Sequence, residues 1–150
     1  EGRHRSNTAY CTTKSNYISF EAIFDESAQY TTNDPTNQYD VNKLYGLSDC
    51  RTSHSKNSIR FGWRWLNDSL EILWYKREDG DFSFEKITTI DINTSYYYTI
   101  TFTEDSYILN VDGIEVVVDR KCSETYRRYY LYPYFGGDEE APHDITIRIK

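Results

Sequence analysis

The sequence predicts an all-β protein in which two antiparallel sheets pack face to face as a sandwich. Short apolar runs alternate with polar residues at a period of two, which is typical of half-buried strands. Hairpin-length turns separate most of these runs, and no helical period of useful length occurs. With 150 residues, the chain is long enough for one domain with a two-layer core. We therefore expect nine to eleven short strands in a single sandwich.

Residues 96–118 show the clearest strand pattern. The first strand, 96–103, has one apolar face formed by Tyr96, Tyr98, Ile100 and Phe102. A polar turn leads to a second strand that ends in Val111, and Asp112-Gly113 then precedes a third strand with Ile114, Val116 and Val118 on one face. Asp-Gly suits a type I′ hairpin because both residues tolerate positive φ. The segment predicts a three-stranded antiparallel meander.

An aromatic strand followed by a strand ending in Val-Asp-Gly resembles the laminin-G-like and concanavalin A-like jelly-roll superfamily. The ending PYFGGDEEAPHDITIRIK, residues 133–150, is similar to the C-terminal strand of jelly-roll domains from secreted or lipid-anchored proteins of carbohydrate-degrading bacteria. The sequence RFGW at 60–63 adds a third match. The resemblance implies a jelly roll, in a superfamily that includes lectins, carbohydrate-binding modules, laminin-type interaction domains, glycoside hydrolases and polysaccharide lyases. Function must therefore be argued from a site.

The rest of the chain gives the other elements. Residues 1–16 are polar and predict a surface arm, and residues 17–150 predict the single domain. Further strands are expected at 17–24, 42–48, 58–66, 70–76, 82–90, 126–135 and 144–150, of which 58–90 form a second three-stranded meander. Pro133 must lie at an edge, a bulge or a strand end because proline has no N–H. Residues 25–40 form a long polar loop, and such loops are usually functional or mobile.

Charge and composition exclude some function classes. The net charge is −7 and the pI is about 4.9, which disfavours a nucleic-acid partner. No apolar run is long enough for a transmembrane segment. The polar start and the lack of methionine predict a mature chain that has lost an upstream signal or anchor segment. We therefore expect an extracellular, periplasmic or cell-surface protein, either secreted or a lipoprotein.

Three cysteines allow at most one intramolecular disulfide. Cys50 and Cys122 are the preferred pair because both end strands and precede polar loops. The two pairings with Cys11 and a fully reduced state stay open. Zinc is disfavoured because neither the cysteines nor the three histidines show ligand spacing.

Sugar binding needs an exposed aromatic platform flanked by hydrogen-bonding groups. In Ser58–Leu66, Trp63 and Trp65 alternate with arginines, which favours the tryptophans as core residues and the arginine face as the exposed one. If that face lines a concave sheet, the two arginines form a two-point anion site, because guanidinium groups suit carboxylate or sulfate. If it lies on the convex side, they only pair with nearby glutamate or aspartate residues. The candidate ligand-binding residues are Arg60, Arg64, Trp74, Tyr75, Tyr97 and Tyr129.

Catalytic motifs of the resembled superfamily are absent. Its retaining hydrolases carry a Glu-x-Asp-x-x-Glu strand, whereas here Glu21 with Asp25, and Glu115 with Asp119, only share a spacing of four. We interpret both pairs as solvated carboxylates. Its lyases use an arginine, a glutamine or histidine, and a Tyr/His pair to neutralise a uronate and move its proton. Residues of these types are present, including His54, but there is no Gln-x-His strand.

The resemblance also implies a structural calcium ion between the first and last strands. Asp144 occupies the matching place before the closing strand, and Glu21 or the carbonyl group of Gly46 would complete the shell. Such hard oxygen ligands suit calcium. Asp138, Glu139 and Glu140 are a second, weaker candidate.

These observations together predict a non-catalytic, extracytoplasmic domain that binds a glycan or polysaccharide. One alternative is a polysaccharide lyase or glycoside hydrolase of the same fold that acts on an acidic glycan. A second is a laminin-G-type protein interaction module.

Overall fold

The computed structural model describes residues 9–123 and 127–150. Two antiparallel sheets face each other, and the described residues contain no α-helix. The strands are β1 Thr12–Thr13, β2 Tyr17–Phe24, β3 Asn42–Ser48, β4 Ser58–Leu66, β5 Ser69–Glu78, β6 Asp81–Ile90, β7 Tyr96–Phe102, β8 Ser106–Val111, β9 Ile114–Asp119, β10 Arg128–Leu131 and β11 Ile147–Ile149. The predicted sandwich and most predicted strands are confirmed.

One sheet has six strands in the order β1-β10-β3-β4-β5-β6, and the other has five in the order β11-β2-β7-β8-β9. Both predicted meanders are present, β4-β5-β6 in the first sheet and β7-β8-β9 in the second. Within residues 9–123 and 127–150, no helix is long and apolar enough to cross a bilayer.

The core lies between the sheets and uses alternate residues of each strand. In β2, the inward residues are Ile18, Phe20, Ala22 and Phe24, which are at most 5% exposed. In β4, Ile59, Phe61 and Trp63 oppose them, and Trp65 packs on the same cluster while half-buried. Burying a large apolar side chain stabilises a fold by about 2 kcal/mol. The interpretation of the tryptophans as core residues is confirmed.

Tight turns set the hairpin registers. Asp112 and Gly113 have φ of 46° and 91°, and Asn67 and Asp68 have φ of 51° and 53°. Positive φ at both central residues is the type I′ geometry predicted for Asp112-Gly113. These turns fix the register of β4 with β5 and of β8 with β9, so that directly opposed residues of each pair project to the same face of the sheet.

Some segments differ from their predictions. The strand predicted at 126–135 is shorter, Arg128–Leu131, because Pro133 cannot donate to a ladder, and Tyr134 makes only an isolated bridge to Lys43. Residues 124–126 lie outside the described residues, as do residues 1–8 of the predicted arm. The described part of the arm includes β1, which pairs with β10.

The closing strand covers only Ile147–Ile149. The predicted loop at 25–40 contains two 3-10 helices, Glu26–Ala28 and Pro35–Tyr39.

A buried charge network and a disulfide lie where β3 and β9 end. Asp49 is almost fully buried, and its carboxylate accepts hydrogen bonds from Arg120 Nε (2.7 Å), Arg128 Nε (3.1 Å) and Tyr107 Oη (2.9 Å). Cys50 and Cys122 form a disulfide, which confirms the preferred pair, and Cys11 is free and exposed. A buried carboxylate needs such partners because losing water is costly.

Candidate functional site

The outer face of the six-stranded sheet combines cations with aromatic rings. Directly opposed residues of antiparallel strands project to the same side, so the register arranges this face in rows. Four of the rows are Ser48-Ser58-Arg77-Phe82, Gly46-Arg60-Tyr75-Phe84, Lys43-Gly62-Leu73-Lys86 and Arg64-Glu71-Thr89. Lys43, Arg60 and Arg77, called the basic cluster below, therefore occupy one face around Tyr75.

Arg60 is the central cation of this face and is only 3% exposed. Its Nε atom has no hydrogen-bond partner, and its guanidinium carbon lies 5.6 Å from the ring centroid of Tyr134. Burial lowers the pKa of Arg60, and tyrosines, led by Tyr134 and Tyr75, oppose that shift. Arginine stays protonated even so. The fold thus holds a buried positive charge whose Nε atom lacks an acceptor among the described residues.

Two features make room for Arg60. A Cβ atom at Gly46 would overlap the carbonyl oxygen of Ile59 and the backbone of Arg60, so β3 approaches β4 closely only with glycine at that position. The register of β3 and β4 also shifts between Lys43 and Gly46. This bulge re-aims the side chains of β3 next to the basic cluster.

Lys43 is the second buried cation, 8% exposed. Its Nζ atom lies 4.1 Å from the ring centroid of Tyr75 and donates a hydrogen bond to the carbonyl oxygen of Val41 (2.5 Å). Burial, followed by the charges of Arg60 and Arg77, lowers the pKa of Lys43 to about 8. Contact with a ring face compensates only part of the lost hydration.

A histidine and a tyrosine meet at the β10 side of the same face. His54 Nδ1 lies 3.0 Å from Tyr129 Oη, and the backbone N–H of His54 donates to the same oxygen (2.6 Å). Burial lowers the pKa of His54, and the charges of Arg60 and Arg77 add to the shift. Burial raises the pKa of Tyr129. The pair therefore holds a neutral imidazole beside a protonated phenol at neutral pH.

The structure separates the six predicted ligand-binding residues. Arg60, Tyr75 and Tyr129 lie together on the outer face of the six-stranded sheet. Arg64 shares the face, but it is paired with Glu71 (2.7 Å) and donates to the carbonyl oxygen of Tyr39 (2.8 Å). The expectation that the arginine face is exposed is wrong for Arg60, which is only 3% exposed and lies beside the rings of Tyr134 and Tyr75.

The other two candidates lie elsewhere. Trp74 is half-buried against the core, on the opposite face of β5 from Tyr75. Tyr97 is exposed on β7, in the other sheet, and its hydroxyl lies 3.4 Å from that of Tyr17.

The residues suggested for calcium are not brought together. Glu21 lies on β2, where it accepts a hydrogen bond from Ser95 Oγ (3.0 Å), whereas Gly46 lies in the other sheet and Asp144 is exposed before β11. Among the described residues, the one compact group of potential metal ligands is Asp49 with Cys50 and Cys122, whose sulfur atoms form the disulfide. Calcium binding stays a prediction.

Sequence reasoning missed Lys43, Arg77 and Tyr134 as site residues. Arg77 is two residues after Tyr75 on β5, so the alternation of side chains along a strand could have placed it on this face. Lys43 and Tyr134 carried no such signal, because a bulge follows Lys43 and Pro133 precedes Tyr134.

Comparisons with known proteins agree with this architecture. The sequence matches no protein-family model and no curated protein. Among solved structures, the alginate lyase AlyC3 is similar, with a TM-score of 0.65, 11% identity, and coverage of 99% of this chain and 72% of that one. A family 16 glycosyl hydrolase from Mycobacterium smegmatis has a TM-score of 0.51 and 9% identity, and the match covers 93% of this chain and 63% of that one. An ancestral congerin has a TM-score of 0.50 and 14% identity, with coverage of 93% and 96%. At these identities the likeness shows the fold alone, and the chain is a concanavalin A-like jelly-roll sandwich.

Proposed function

We propose that the protein binds an acidic polysaccharide on the outer face of its six-stranded sheet, as a non-catalytic, extracytoplasmic domain. The observation that carries this proposal is Arg60, a nearly buried guanidinium whose Nε atom has no acceptor among the described residues. A buried charge is normally paired, because the cost of desolvation is large. A carboxylate or sulfate that reached Arg60 when the Tyr134 ring moved aside would supply the missing acceptor.

The neighbours of Arg60 support an anionic ligand rather than a neutral one. Lys43 and Arg77 add two positive charges around it, and their mutual repulsion contributes to the lowered pKa of Lys43. This local patch stands out in a chain with a net charge of −7. An anion between these groups would relieve the repulsion and would be held by several donors.

The same face suits a sugar better than a small inorganic anion. Tyr129 and Tyr134 are half-buried beside the basic cluster, and their rings and hydroxyl groups can contact the C–H face and the hydroxyls of a pyranose. The name of the similar alginate lyase gives alginate as its substrate, and alginate is an acidic polysaccharide, which is consistent with the proposal. The disulfide between Cys50 and Cys122 supports an extracytoplasmic location, because disulfides persist in oxidising compartments.

A second candidate function is β-elimination of a uronate polymer, favoured by the His54–Tyr129 pair beside the basic cluster. Arg60 would neutralise the uronate carboxylate, and neutral His54 would accept the proton from C5. As the C4=C5 double bond formed, the bond from C4 to the glycosidic oxygen would break, and the Tyr129 phenol would protonate the leaving oxygen. The product would be an unsaturated uronate.

A thermal-shift screen with a product assay tests both functions. The purified protein is heated with alginate, polygalacturonate, hyaluronan, chondroitin sulfate, or neutral xylan and laminarin, each with and without EDTA. A ligand of the native state raises the unfolding midpoint by mass action. We expect a shift with at least one acidic polymer, none with the neutral ones, and no unsaturated product.

The remaining outcomes assign the other functions. Unsaturated product that is lost in Tyr129→Phe would replace the binding role with the lyase role. A shift with neutral polymers alone would contradict the assignment of an acidic ligand. Silence with every polymer would contradict glycan binding and favour a protein interaction module. A fall in the midpoint with EDTA alone would support the structural calcium ion.

A further inference from the structure

Two exposed phenylalanines extend the aromatic surface beyond the basic cluster. Phe82 and Phe84, on the edge strand β6, are 59% and 39% exposed, whereas the other five phenylalanines are buried or half-buried. Their ring planes are parallel to within 2°, and both lie within 8° of the plane of Tyr75. We call Tyr75, Phe82 and Phe84 the aromatic strip.

The aromatic strip is a broad array rather than a single stack. Its three ring centroids are 5.9, 6.3 and 6.2 Å apart, which places them at the corners of a nearly equilateral triangle. Parallel rings arranged in this way cover more area than one side chain. Phe82 and Phe84 are its exposed members, since Tyr75 is only 6% exposed. Two large apolar rings exposed side by side indicate a binding surface.

Tyr75 belongs both to the strip and to the surroundings of the basic cluster. Its ring faces Lys43 Nζ at 4.1 Å, and its centroid lies about equally far from Phe82 and Phe84. The cross-strand register gives the same continuity, because Arg60 is opposite Tyr75 and Tyr75 is opposite Phe84. A ligand unit on the strip would therefore be next to a unit at Arg60.

Charge at the strip favours the same acidic ligand. The guanidinium carbon of Arg77 lies 5.2 Å from the ring centroid of Phe82. Asp81 and Glu85, the acidic residues of β6, alternate with the two phenylalanines and so project to the other face. The rim of the strip is thus cationic, which suits a polyanion.

We propose that the aromatic strip is a second sugar subsite, so that the protein binds an extended acidic oligosaccharide with one charged unit at Arg60 and a further unit on Phe82 and Phe84. This inference rests on the proposed function and adds the length and direction of the ligand. The glycan chain crosses β4, β5 and β6 and leaves the protein over the β6 edge. The sugar on the strip presents its C–H face to the rings.

Chain-length dependence of affinity tests this inference. Size-separated oligomers of alginate, polygalacturonate, hyaluronan and chondroitin sulfate, from monomer to hexamer, are titrated calorimetrically into the wild type, the Phe82→Ala/Phe84→Ala double variant and Tyr97→Ala. Tyr97 is the matched control, because it is an exposed aromatic residue on the other sheet. In the wild type, affinity rises with length. The double variant weakens binding of the longer oligomers by roughly tenfold and leaves the shortest binding oligomer unchanged.

The outcomes separate the subsite from the proposed function. If the wild type binds an acidic oligomer and the double variant keeps its length dependence, the subsite is refuted while glycan binding stands. The subsite is also refuted if the double variant weakens binding of oligomers of every length equally, or if Tyr97→Ala weakens binding of the longer oligomers as much as the double variant does. If the wild type binds none of these glycans, the proposed function fails and the subsite fails with it. Unfolding midpoints of the variants, measured in parallel, exclude misfolding as the cause of a loss.

Discussion

The ammonium nitrogen of Lys43 lies 4.1 Å from the centroid of the Tyr75 ring, and both side chains are largely buried. No ion pair to Lys43 occurs among the described residues. Its lost hydration is partly replaced by the rings of Tyr75 and Tyr134 and by one hydrogen bond to the carbonyl oxygen of Val41. An opposite charge supplied by a ligand would therefore gain a strong partner, because the desolvation of Lys43 has already taken place in folding.

The lowered pKa of Lys43 predicts that removing its charge stabilises the free protein. The pKa falls from 10.5 to about 8, so the charged form opposes folding at neutral pH. We expect Lys43→Met to raise the free energy of unfolding by about 2 kcal/mol in denaturant titrations. Lys86→Met is the control, because Lys86 is half-exposed and paired with Glu71, and we expect it to change stability by less than about 1 kcal/mol. Destabilisation by Lys43→Met would contradict this account.

The same shift predicts a pH dependence of ligand affinity. Below about pH 8 Lys43 is charged in the free protein, and an anion binds without proton uptake. Above that pH the free protein has lost the proton, so binding an anion requires its recovery. The affinity for an acidic polysaccharide should fall as the pH rises through about 8, as measured by calorimetry. Lys43→Arg should remove this dependence, and a flat profile in the wild type would argue against a role for Lys43.

The two faces of the hairpins could be predicted from sequence because alternation and turn chemistry are local. Ser58–Leu66 has its predicted bounds, and Trp63 is in the core as its alternation with arginines indicated. The preferred disulfide was also inferred from a local signal, since Cys50 and Cys122 each follow a strand. Pro133 allowed an edge, a bulge or a strand end, and the predicted strand at 126–135 was too long because β10 ends at Leu131.

The candidate site was harder to predict because it depends on pairing between distant strands. Arg60 was found from its position on β4, but its burial involves Tyr134, which follows β10, and the close approach of Gly46 on β3. Alternation could not separate Tyr97 from Tyr75, since each simply occupies one face of its own strand. Their assignment to different sheets required the strand order.

The buried carboxylate of Asp49 gives a stability prediction. Burial opposes its ionised form, but the hydrogen bond and charge of Arg120, with hydrogen bonds from the Cys50 backbone and Tyr107, together lower the pKa of Asp49. Asp49→Asn removes the negative charge that binds Arg120 and Arg128 inside the fold, so we expect a loss of about 3 to 5 kcal/mol in the free energy of unfolding. In the wild type, this stabilisation is present at neutral pH and is lost as the pH falls below the ordinary carboxyl pKa of 3.8.

A matched control for Asp49 is Asp79→Asn. Asp79 forms an exposed ion pair with Lys121, and both side chains are about half-exposed. Exposed pairs contribute little to stability because water screens them, so this variant should unfold almost like the wild type. Equal losses in the two variants would show that Asp49 is not the counter-charge of a buried network.

The disulfide predicts a second difference in stability. It joins residues 72 positions apart, and closing a loop of that length in the unfolded chain corresponds to about 4 kcal/mol. The Cys50→Ala/Cys122→Ala variant should lose stability of that order, and dithiothreitol should destabilise the wild type but not the variant. Cys11→Ser is the control, because Cys11 is exposed and free. A large effect of Cys11→Ser would contradict the assigned pairing.

The measurement that tests the central claim most directly is calorimetric binding of an acidic polysaccharide to Arg60→Met, compared with the wild type and with Arg148→Met on β11 of the other sheet. Removing a buried cation that lacks an acceptor at Nε should leave the unfolding midpoint equal or higher, while affinity falls by roughly a hundredfold. Arg148→Met should bind like the wild type. Unchanged affinity in Arg60→Met, with the fold intact, would contradict the assignment of this face as the polysaccharide site.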